Sequence, residues 1–485
     1  MSETTLAPEV KVFVKNMGCK VNAFDADVLQ TQFKAKGYTL SDSHNDASII
    51  VLNTCSVTEG AEKEARYLLR RYQKEQPSAL RVLTGCYAQI QSAKLQDLDS
   101  VDFIVPNEIK TDLVELVHQR LAAPSSVSSD SSADGVAAGA VKPNKLPQNI
   151  KPVLDNRQMH FKSSLTLFDR PAQSKTRAFV KVQDGCNGFC AYCQIPYARG
   201  ASRSVPQAEV LRVCEGLLAD GAQELVLTGI HIGDYGEDLS PSLDLTGLVA
   251  ELLRLPALKR LRISSLEPME LKRPLLILLR EHAERFGDHF HLPLQSGSDA
   301  ILTKMRRTYT RAEYIEATAW IREYFPRAHI SADVIVGFPG ETDEDFAATV
   351  ACIEESGLAS LHVFPYSKRP NTAALKMPGH VDGVVLKQRM AVLKALSAKR
   401  YKEYAKTFIG STLEVLWEAK LDRFGRRYGK TANYLSVLAP TGATAVLPVG
   451  SLSSATIKGF LPVDSEDDLV KTEDVSLILL ALPQP

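Results

Sequence analysis

Residues 182–200 read VQDGCNGFCAYCQIPYARG. Cys186, Cys190 and Cys193 stand in a C-x3-C-x2-C spacing directly after the apolar stretch AFVKVQ (178–183). An apolar strand that runs into a cysteine-bearing loop opens a strand–helix unit. Five more such stretches follow: ELVLTG (224–229), RLRISS (260–265), FHLPLQ (290–295), SADVIVGF (331–338) and LHVFPY (361–366), each succeeded by a helical pattern. Six strand–helix units predict a partial parallel (β/α)6 barrel over 173–400, with chemistry at the carboxyl ends of its strands. A closed eight-stranded barrel would need more strands than the sequence offers.

Three thiolates can hold three irons of a [4Fe–4S] cluster and leave the fourth open to an external ligand, unlike the four-cysteine pattern of electron carriers. The competing reading is a structural zinc knot. It wants a fourth Cys or His nearby, and none is close in sequence.

Upstream, residues 1–121 also alternate strand and helix. KVFVKNMGC (11–19), DASIIVLNTC (46–55) and ALRVLTGC (79–86) each carry a short strand into a cysteine: Cys19, Cys55 and Cys86. AFDADVLQTQFKAKG (23–37) is an amphipathic helix closed by Gly37, and VDFIVPN (101–107) is a further strand. The alternation predicts a doubly wound α/β domain. Ligands of such sheets bind beyond the carboxyl ends of the strands, so three distant cysteines can converge at one rim. The plain alternative is that they are buried core residues.

Residues 122–172 are rich in Ser, Ala, Gly and Pro and read as a flexible linker, with LTLFDRP (165–171) as an ordered tail. Residues 401–485 change character again. After the basic helix LSAKRYKEYAKTFIG (396–410), the stretches STLEVLWEA, NYLSVLAP, TAVLPVG, SATIKGFLP and DVSLILLA predict a small antiparallel β-barrel.

Composition narrows the class. The chain has 485 residues, 45% of them hydrophobic, with 57 basic and 57 acidic side chains. No apolar run reaches the ~18 residues of a membrane span, and MSETTLAPEV lacks a basic segment followed by an apolar core. A cytoplasmic protein with no membrane partner is expected. There the eight cysteines read as metal-binding or catalytic rather than as disulfides. Cys214 and Cys352 lie in apolar helices and read as core. With no net charge, nucleic acid must be met by local basic runs: Arg70–Arg71, KMRRTYTR (304–311), AKRYKEYAK (398–406) and DRFGRRYGK (422–430). Arg423, Arg426, Arg427 and Lys430 in the last run offer cations for phosphates. Tyr401, Tyr404, Phe424, Tyr428 and Tyr434 offer rings for stacking, which suits RNA loops rather than DNA. His231, His291 and His362 lie near strand ends and read as structural histidines rather than ligands.

The C-x3-C-x2-C motif resembles that of the radical SAM superfamily. Together with NMGCKVNAFDAD (16–27), VLNTCSVTEGAEKEAR (51–66), LTGCYAQ (83–89), LTGIHIGDYG (227–236), HLPLQSGSDAILTKMRRTYTR (291–311), ADVIVGFPGETDEDF (332–346) and LHVFPYSKRPNTA (361–373), it makes the chain similar to the methylthiotransferases over nearly its whole length outside the linker. The resemblance implies that S-adenosylmethionine chelates the open iron of the central cluster and is cleaved there to a 5′-deoxyadenosyl radical. It puts Tyr192 beside the adenine, Thr228 and Gly229 by the methionine amino group, and Gly337, Phe338 and Gly340 along the adenine-binding segment. Ser264, Glu267 and Gln295, at strand ends, are candidates for ribose or carboxylate contact. Cys19, Cys55 and Cys86 would hold a second [4Fe–4S] cluster carrying the sulfur to be transferred. The two clusters would share one cavity, and the last barrel would be an RNA-binding TRAM module. An electron donor and a sulfur source are also implied.

GCKVN (18–22), LTGIHIG and HVFPYSKR look like the branch acting on N6-threonylcarbamoyladenosine next to the tRNA anticodon, with methylthiolation at C2. The branch acting on isopentenyladenosine usually reads GCQMN, and the branch acting on a ribosomal protein GCPKN. Lys20 could pair with the threonylcarbamoyl carboxylate or simply face solvent. NTAA (371–374) departs from the usual GTPA and puts that turn's geometry in doubt. Methylthiolation of isopentenyladenosine or of a ribosomal protein, and a noncatalytic metal-containing RNA-binding protein, are the alternatives.

Overall fold

The computed structural model describes residues 10–122, 176–241, 243–443, 447–460 and 479–483. The expected linker, apart from Ala122, and its ordered tail lie outside the described residues. The chain forms two compact units. The first comprises the described residues up to Ala122 together with Gln194–Ala201; the second holds residues 176–193 and the described residues from Ser202 onward.

The first unit is a five-stranded parallel sheet, in spatial order β2-β1-β3-β4-β5, built from β1 (Lys11–Asn16), β2 (Thr39–Leu40), β3 (Ile49–Thr54), β4 (Leu80–Gly85) and β5 (Phe103–Pro106). All six residues of β3 are buried. A strand covered on both faces shows no polar alternation, which is why IIVLNT reads as a continuous run. Ala65, Leu69 and Tyr72 of α2 (Glu59–Glu75) pack on Leu52 and Leu83 on one face. Leu29 and Phe33 of α1 (Lys20–Ala35), with Val117 of α4 (Leu113–Ala122), pack on Val51 and Val82 on the other. Helix α3 (Cys86–Leu95) follows β4 directly, and α5 (Ile195–Arg199) joins this unit from far along the chain. The doubly wound expectation holds. Helix α1 starts three residues before the stretch expected, because Cys19 occupies its N-cap. The two-residue β2 is too short to carry a readable period.

In the second unit, β6 (Ala178–Lys181), β9 (Glu224–Thr228) and β10 (Arg260–Ile263) form one parallel sheet, and β11 (His289–His291), β12 (His329–Val336) and β13 (Ser360–Pro365) another. Main-chain bonds link the two at β10, from Leu261 N to Arg285 O (2.7 Å), Gly287 N to Leu261 O (2.9 Å) and Leu266 N to His291 O (3.0 Å). The six expected strands therefore run side by side in chain order as a partial barrel. A short antiparallel pair, β7 (Gln183–Asp184) with β8 (Arg203–Ser204), brackets the cysteine loop.

The C-terminal strands β14 (Thr412–Leu421), β15 (Arg427–Thr431), β16 (Ser436–Leu438), β17 (Leu452–Phe460) and β18 (Leu479–Pro483) close into a barrel around buried Trp417, Val437, Ala455 and Ile457. It differs from the sequence reading in three ways. RYGKT, read as a basic run, is a strand. TAVLPVG supplies no strand among the described residues; its Thr444–Val446 lie outside them, as does the start of DVSLILLA. The β16–β18 pair is parallel, so the barrel is not wholly antiparallel.

A buried acid ties the two barrels together. Glu224, fully buried, accepts from Arg260 (3.2 Å) and from Arg262 Nε (2.8 Å). Arg262 also donates to Ala432 O (2.7 Å) and Thr431 O (2.8 Å) of the small barrel. Burial pushes the Glu224 carboxyl up, but Arg262, Arg260 and Arg177 outweigh it and hold the group below its ordinary value. Glu224→Gln leaves buried guanidinium charge uncompensated and is expected to cost about 3 kcal/mol of stability at neutral pH. A depressed carboxyl contributes stability above its unfolded pKa and loses it as pH falls through the folded one. The gap between wild type and variant in urea midpoint should therefore narrow on acidification.

Candidate active site

In the first unit the three cysteines emerge where the sheet strands end. Cys19 caps α1, Cys55 follows β3 and Cys86 opens α3. Gly18 lies against Cys55: a Cβ there would stand 2.7 Å from the Cys55 Cβ and 3.0 Å from its Sγ, and the backbone has φ +97°. Glycine is required on both counts. Cys55 and Cys86 are buried, Cys19 is exposed, and none is in a disulfide. Burial, reinforced by the Cys86 thiol, pushes Cys55 up to about 12. A buried thiol of this kind needs a cation beside it before it ionises, and an iron cluster supplies one. The donor set therefore fits a [4Fe–4S] cluster with three protein ligands.

Behind these thiols is a polar network. Asn22 Nδ2 donates to Met17 O (2.9 Å) and Thr54 O (3.0 Å), tying the first cysteine loop to the second. Lys110 Nζ reaches Asp25 Oδ2 (3.1 Å) and Asn53 Oδ1 (3.2 Å). Arg199, 2% exposed and contributed by α5, bonds Asn22 Oδ1 and lies 3.3 Å from Asp25 Oδ2. Sequence reasoning missed Asn22, Asn53 and Arg199, although each lies inside a quoted motif. The signal was there, but only contacts assign the roles.

In the second unit Cys186, Cys190 and Cys193 share the loop after β7. Gly188 N points at Cys186 Sγ (3.3 Å), and a Cβ on Gly188 would stand 3.4 Å from that sulfur and 3.9 Å from Cys190 Sγ. The loop thus folds two of its three sulfurs around a glycine. Arg307 donates to Cys190 Sγ (3.1 Å) and to Glu267. His231 Nδ1 lies 3.8 Å from Cys186 Sγ and 3.1 Å from Asp234 Oδ2, and its other nitrogen meets Glu270. Gln183 Oε1 accepts from Ile230 N and His231 N, both 2.9 Å, and so holds the segment after Gly229.

Thr228 ends β9 and is buried. Ser264 follows β10; its Oγ is buried with no hydrogen-bond partner among the described residues, which is what contact with a ribose or carboxylate calls for. Burial pushes the Glu267 carboxyl up against the pull of Arg307. Gln295 has φ +58° and bridges to Val334 by main chain. Phe338 is fully buried against Ala191, Met305 and Ala374, with Tyr192 beside it. The Phe338 ring therefore supports the cysteine loop, and its own contact with a nucleoside would be through the backbone. Gly337 (φ +75°) and Gly340 (φ +78°) shape the turn after β12. This set fits a [4Fe–4S] cluster with S-adenosylmethionine alongside it.

Residues 180–353 match the radical SAM superfamily, and residues 11–106 the uncharacterized protein family UPF0004. The chain is 34% identical to the threonylcarbamoyladenosine tRNA methylthiotransferase of Bacillus subtilis, over 87% of this chain and 88% of the relative. It is 35% identical to that of Aquifex aeolicus, over 84% and 92%. The chain belongs to the radical SAM methylthiotransferases. A methylthiotransferase named for dimethylallyladenosine, from Syntrophus aciditrophicus, is 30% identical over 84% of this chain and 83% of the relative. Among solved structures, the radical S-adenosylmethionine methyltransferase from Kitasatospora setae shares the fold, with a TM-score of 0.52 and 16% identity over 76% of this chain and 77% of that one.

In this methylthiotransferase the residues at 371–374 form an ordered turn. Asn371 adopts φ +64°, a conformation that asparagine tolerates better than most residues. Ala374 is buried and its N–H donates to Ala191 O (2.8 Å), between the cysteines. Cys214 and Cys352 are fully buried core, as expected.

The basic run of the small barrel divides. Phe424 is 51% exposed at the β14–β15 turn, with the Arg423 and Arg426 guanidinium groups 4.7 and 5.1 Å from its ring centre. Arg427 donates to Glu418 O (2.8 Å). Lys430 Nζ donates to Ser436 Oγ (2.6 Å) and lies 4.5 Å from the centre of the Tyr434 ring. Tyr434 itself stacks on His289 at 4.4 Å, and Tyr401 and Tyr404 pack on the barrel core. Of the five rings read as stacking platforms, Phe424 alone is exposed by more than half.

Proposed function

We propose that this chain is a tRNA methylthiotransferase that places a methylthio group on C2 of N6-threonylcarbamoyladenosine beside the anticodon. The second triad carries the reading. A radical enzyme without sulfur transfer has no need of Cys19, Cys55 and Cys86 assembled at the ends of separate strands. The kinship with enzymes named for the same substrate, over more than four fifths of the chain, supports it.

When bound, two [4Fe–4S] clusters and S-adenosylmethionine supply reductive sulfonium cleavage and a transferable sulfur. The chain's own residues hold and orient these groups. Arg307 places a cation between Cys190 and Glu267. Asp234 and Glu270 clamp His231 beside Cys186. Ser264 and the Gly229 turn offer polar groups to the bound nucleoside. Arg423, Arg426 and Phe424 offer tRNA two cations and a ring. The reaction consumes an electron and a sulfur atom, so a reductant and a sulfur donor are partners, and the cytoplasm is the place of action. No helix among the described residues is long and apolar enough to cross a membrane.

Nucleoside mass spectrometry of tRNA from cells lacking the gene tests the substrate. The expected result is loss of 2-methylthio-N6-threonylcarbamoyladenosine and accumulation of its unmethylthiolated precursor. Loss of the methylthiolated isopentenyl nucleoside instead would overturn the reading. Changing Arg423 and Arg426 together to Ala should lower the slope of log binding constant against log salt by about 1.5, since each lost phosphate contact removes roughly 0.7–0.9. An unchanged slope would remove these arginines from the interface.

A further inference from the structure

A second metal-type donor cluster lies within the six-stranded barrel. His291 at the end of β11, Asp333 on β12 and His362 on β13 come from three adjacent parallel strands. Asp333 and His362 are direct strand partners, and one donor atom from each of the three residues falls within 4.8 Å of the others. Among the described residues a further such cluster, His231, Asp234 and Glu270, stands against Cys186 and belongs to the site already described.

Two details suit the barrel cluster to a metal ion. The first is spacing. His291 Nε2 and Asp333 Oδ1 are 3.3 Å apart. Zinc bonds of about 2.0–2.1 Å put neighbouring donors of a tetrahedral ion about 3.3 Å from one another. The second is the support behind His291. Its Nδ1 meets Ser331 Oγ at 2.9 Å, and Ser331 Oγ meets His289 Nε2 at 3.0 Å. A serine hydroxyl donates once and accepts more than once. When Ser331 donates to His289 and accepts from His291 Nδ1–H, the His291 Nε2 lone pair is open to a metal ion. A ring nitrogen held this way is the usual backing of a metal-ligating histidine.

We propose that His291, Asp333 and His362 form a mononuclear site for a divalent ion of the zinc class, separate from both cysteine triads. Two imidazoles and one carboxylate make a neutral-to-anionic set of borderline donors, matched to zinc rather than to magnesium or calcium. Three protein ligands leave a coordination position for water or a substrate oxygen.

The test uses full-length holoenzyme, reconstituted anaerobically so that iron occupies the six cluster thiolates. Zinc chloride is added in slight excess, the protein is desalted, and metals are counted by mass spectrometry. Wild type should retain about one zinc per chain beyond its iron, and X-ray absorption at the zinc edge should show nitrogen and oxygen neighbours at about 2.0 Å with no sulfur at about 2.3 Å. Asp333→Asn and His362→Gln should each lower retained zinc at least tenfold with iron content unchanged. No zinc on the wild type, a sulfur shell around it, or equal retention by both variants would overturn the site and leave an ordinary histidine–aspartate ion pair. The absorption measurement needs no variant, so the outcome does not depend on how well the substituted chains fold.

Discussion

Replacement of Cys19, Cys55 and Cys86 by Ala together is expected to leave S-adenosylmethionine cleavage running while tRNA methylthiolation falls by at least ~10³-fold, the scale seen when a member of a machinery that acts as a unit is removed. The ground is the separation of the two donor sets. These cysteines sit at strand ends of the α/β unit, whereas Cys186, Cys190 and Cys193 belong to a different unit and a different loop. The variant should still bind about four irons and form 5′-deoxyadenosine, but lack a sulfur ready for the substrate carbon. Both products are measured on the folded, reconstituted variant. Substantial methylthiolated nucleoside from a protein lacking the first-unit cluster would mean that the sulfur comes from elsewhere. If the cysteines only packed the domain, the variant would be less stable but active where folded.

The second large effect is the converse. Changing Cys186, Cys190 and Cys193 to Ala should lower iron from about eight to about four per chain and abolish deoxyadenosine formation. The loop has little else to hold a cluster: the Cys186 and Cys190 sulfurs lie around Gly188, with His231 against the first and Arg307 against the second. Neither of those two can replace a thiolate, since Arg307 is engaged with Glu267 and His231 with Asp234 and Glu270. An unaltered iron content would remove the central triad from the assignment.

Much of this molecule was legible in the order of its residues. Short apolar strands alternating with helices specify parallel sheets, because each crossover buries both faces of the strand it leaves. The C-x3-C-x2-C spacing places three thiols on one loop whatever the rest of the chain does. By the same logic, cysteines that end consecutive strands of a parallel sheet must lie along one edge, so the convergence of Cys19, Cys55 and Cys86 followed from topology. Legibility failed where a residue's role depends on a partner distant in sequence. KMRRTYTR looked like a surface for RNA, yet its Arg307 is engaged with Cys190 and Glu267. DRFGRRYGK offers four cations in sequence, but Lys430 is engaged with Ser436 and the Tyr434 ring, whereas Arg423 and Phe424 stand at the turn.

The sequence by itself determined the parallel architecture, the two cysteine triads and the kinship, because each rests on local periodicity, spacing or motif. Tertiary structure alone decided which polar side chains serve those triads. Arg199 reaches Asp25 across more than 170 positions, and Glu224 holds two arginines of a neighbouring strand against the small barrel. His291, Asp333 and His362 become one cluster only through strand register. A buried charge is stable only beside its partner, and that partner is chosen by packing in three dimensions rather than by distance along the chain.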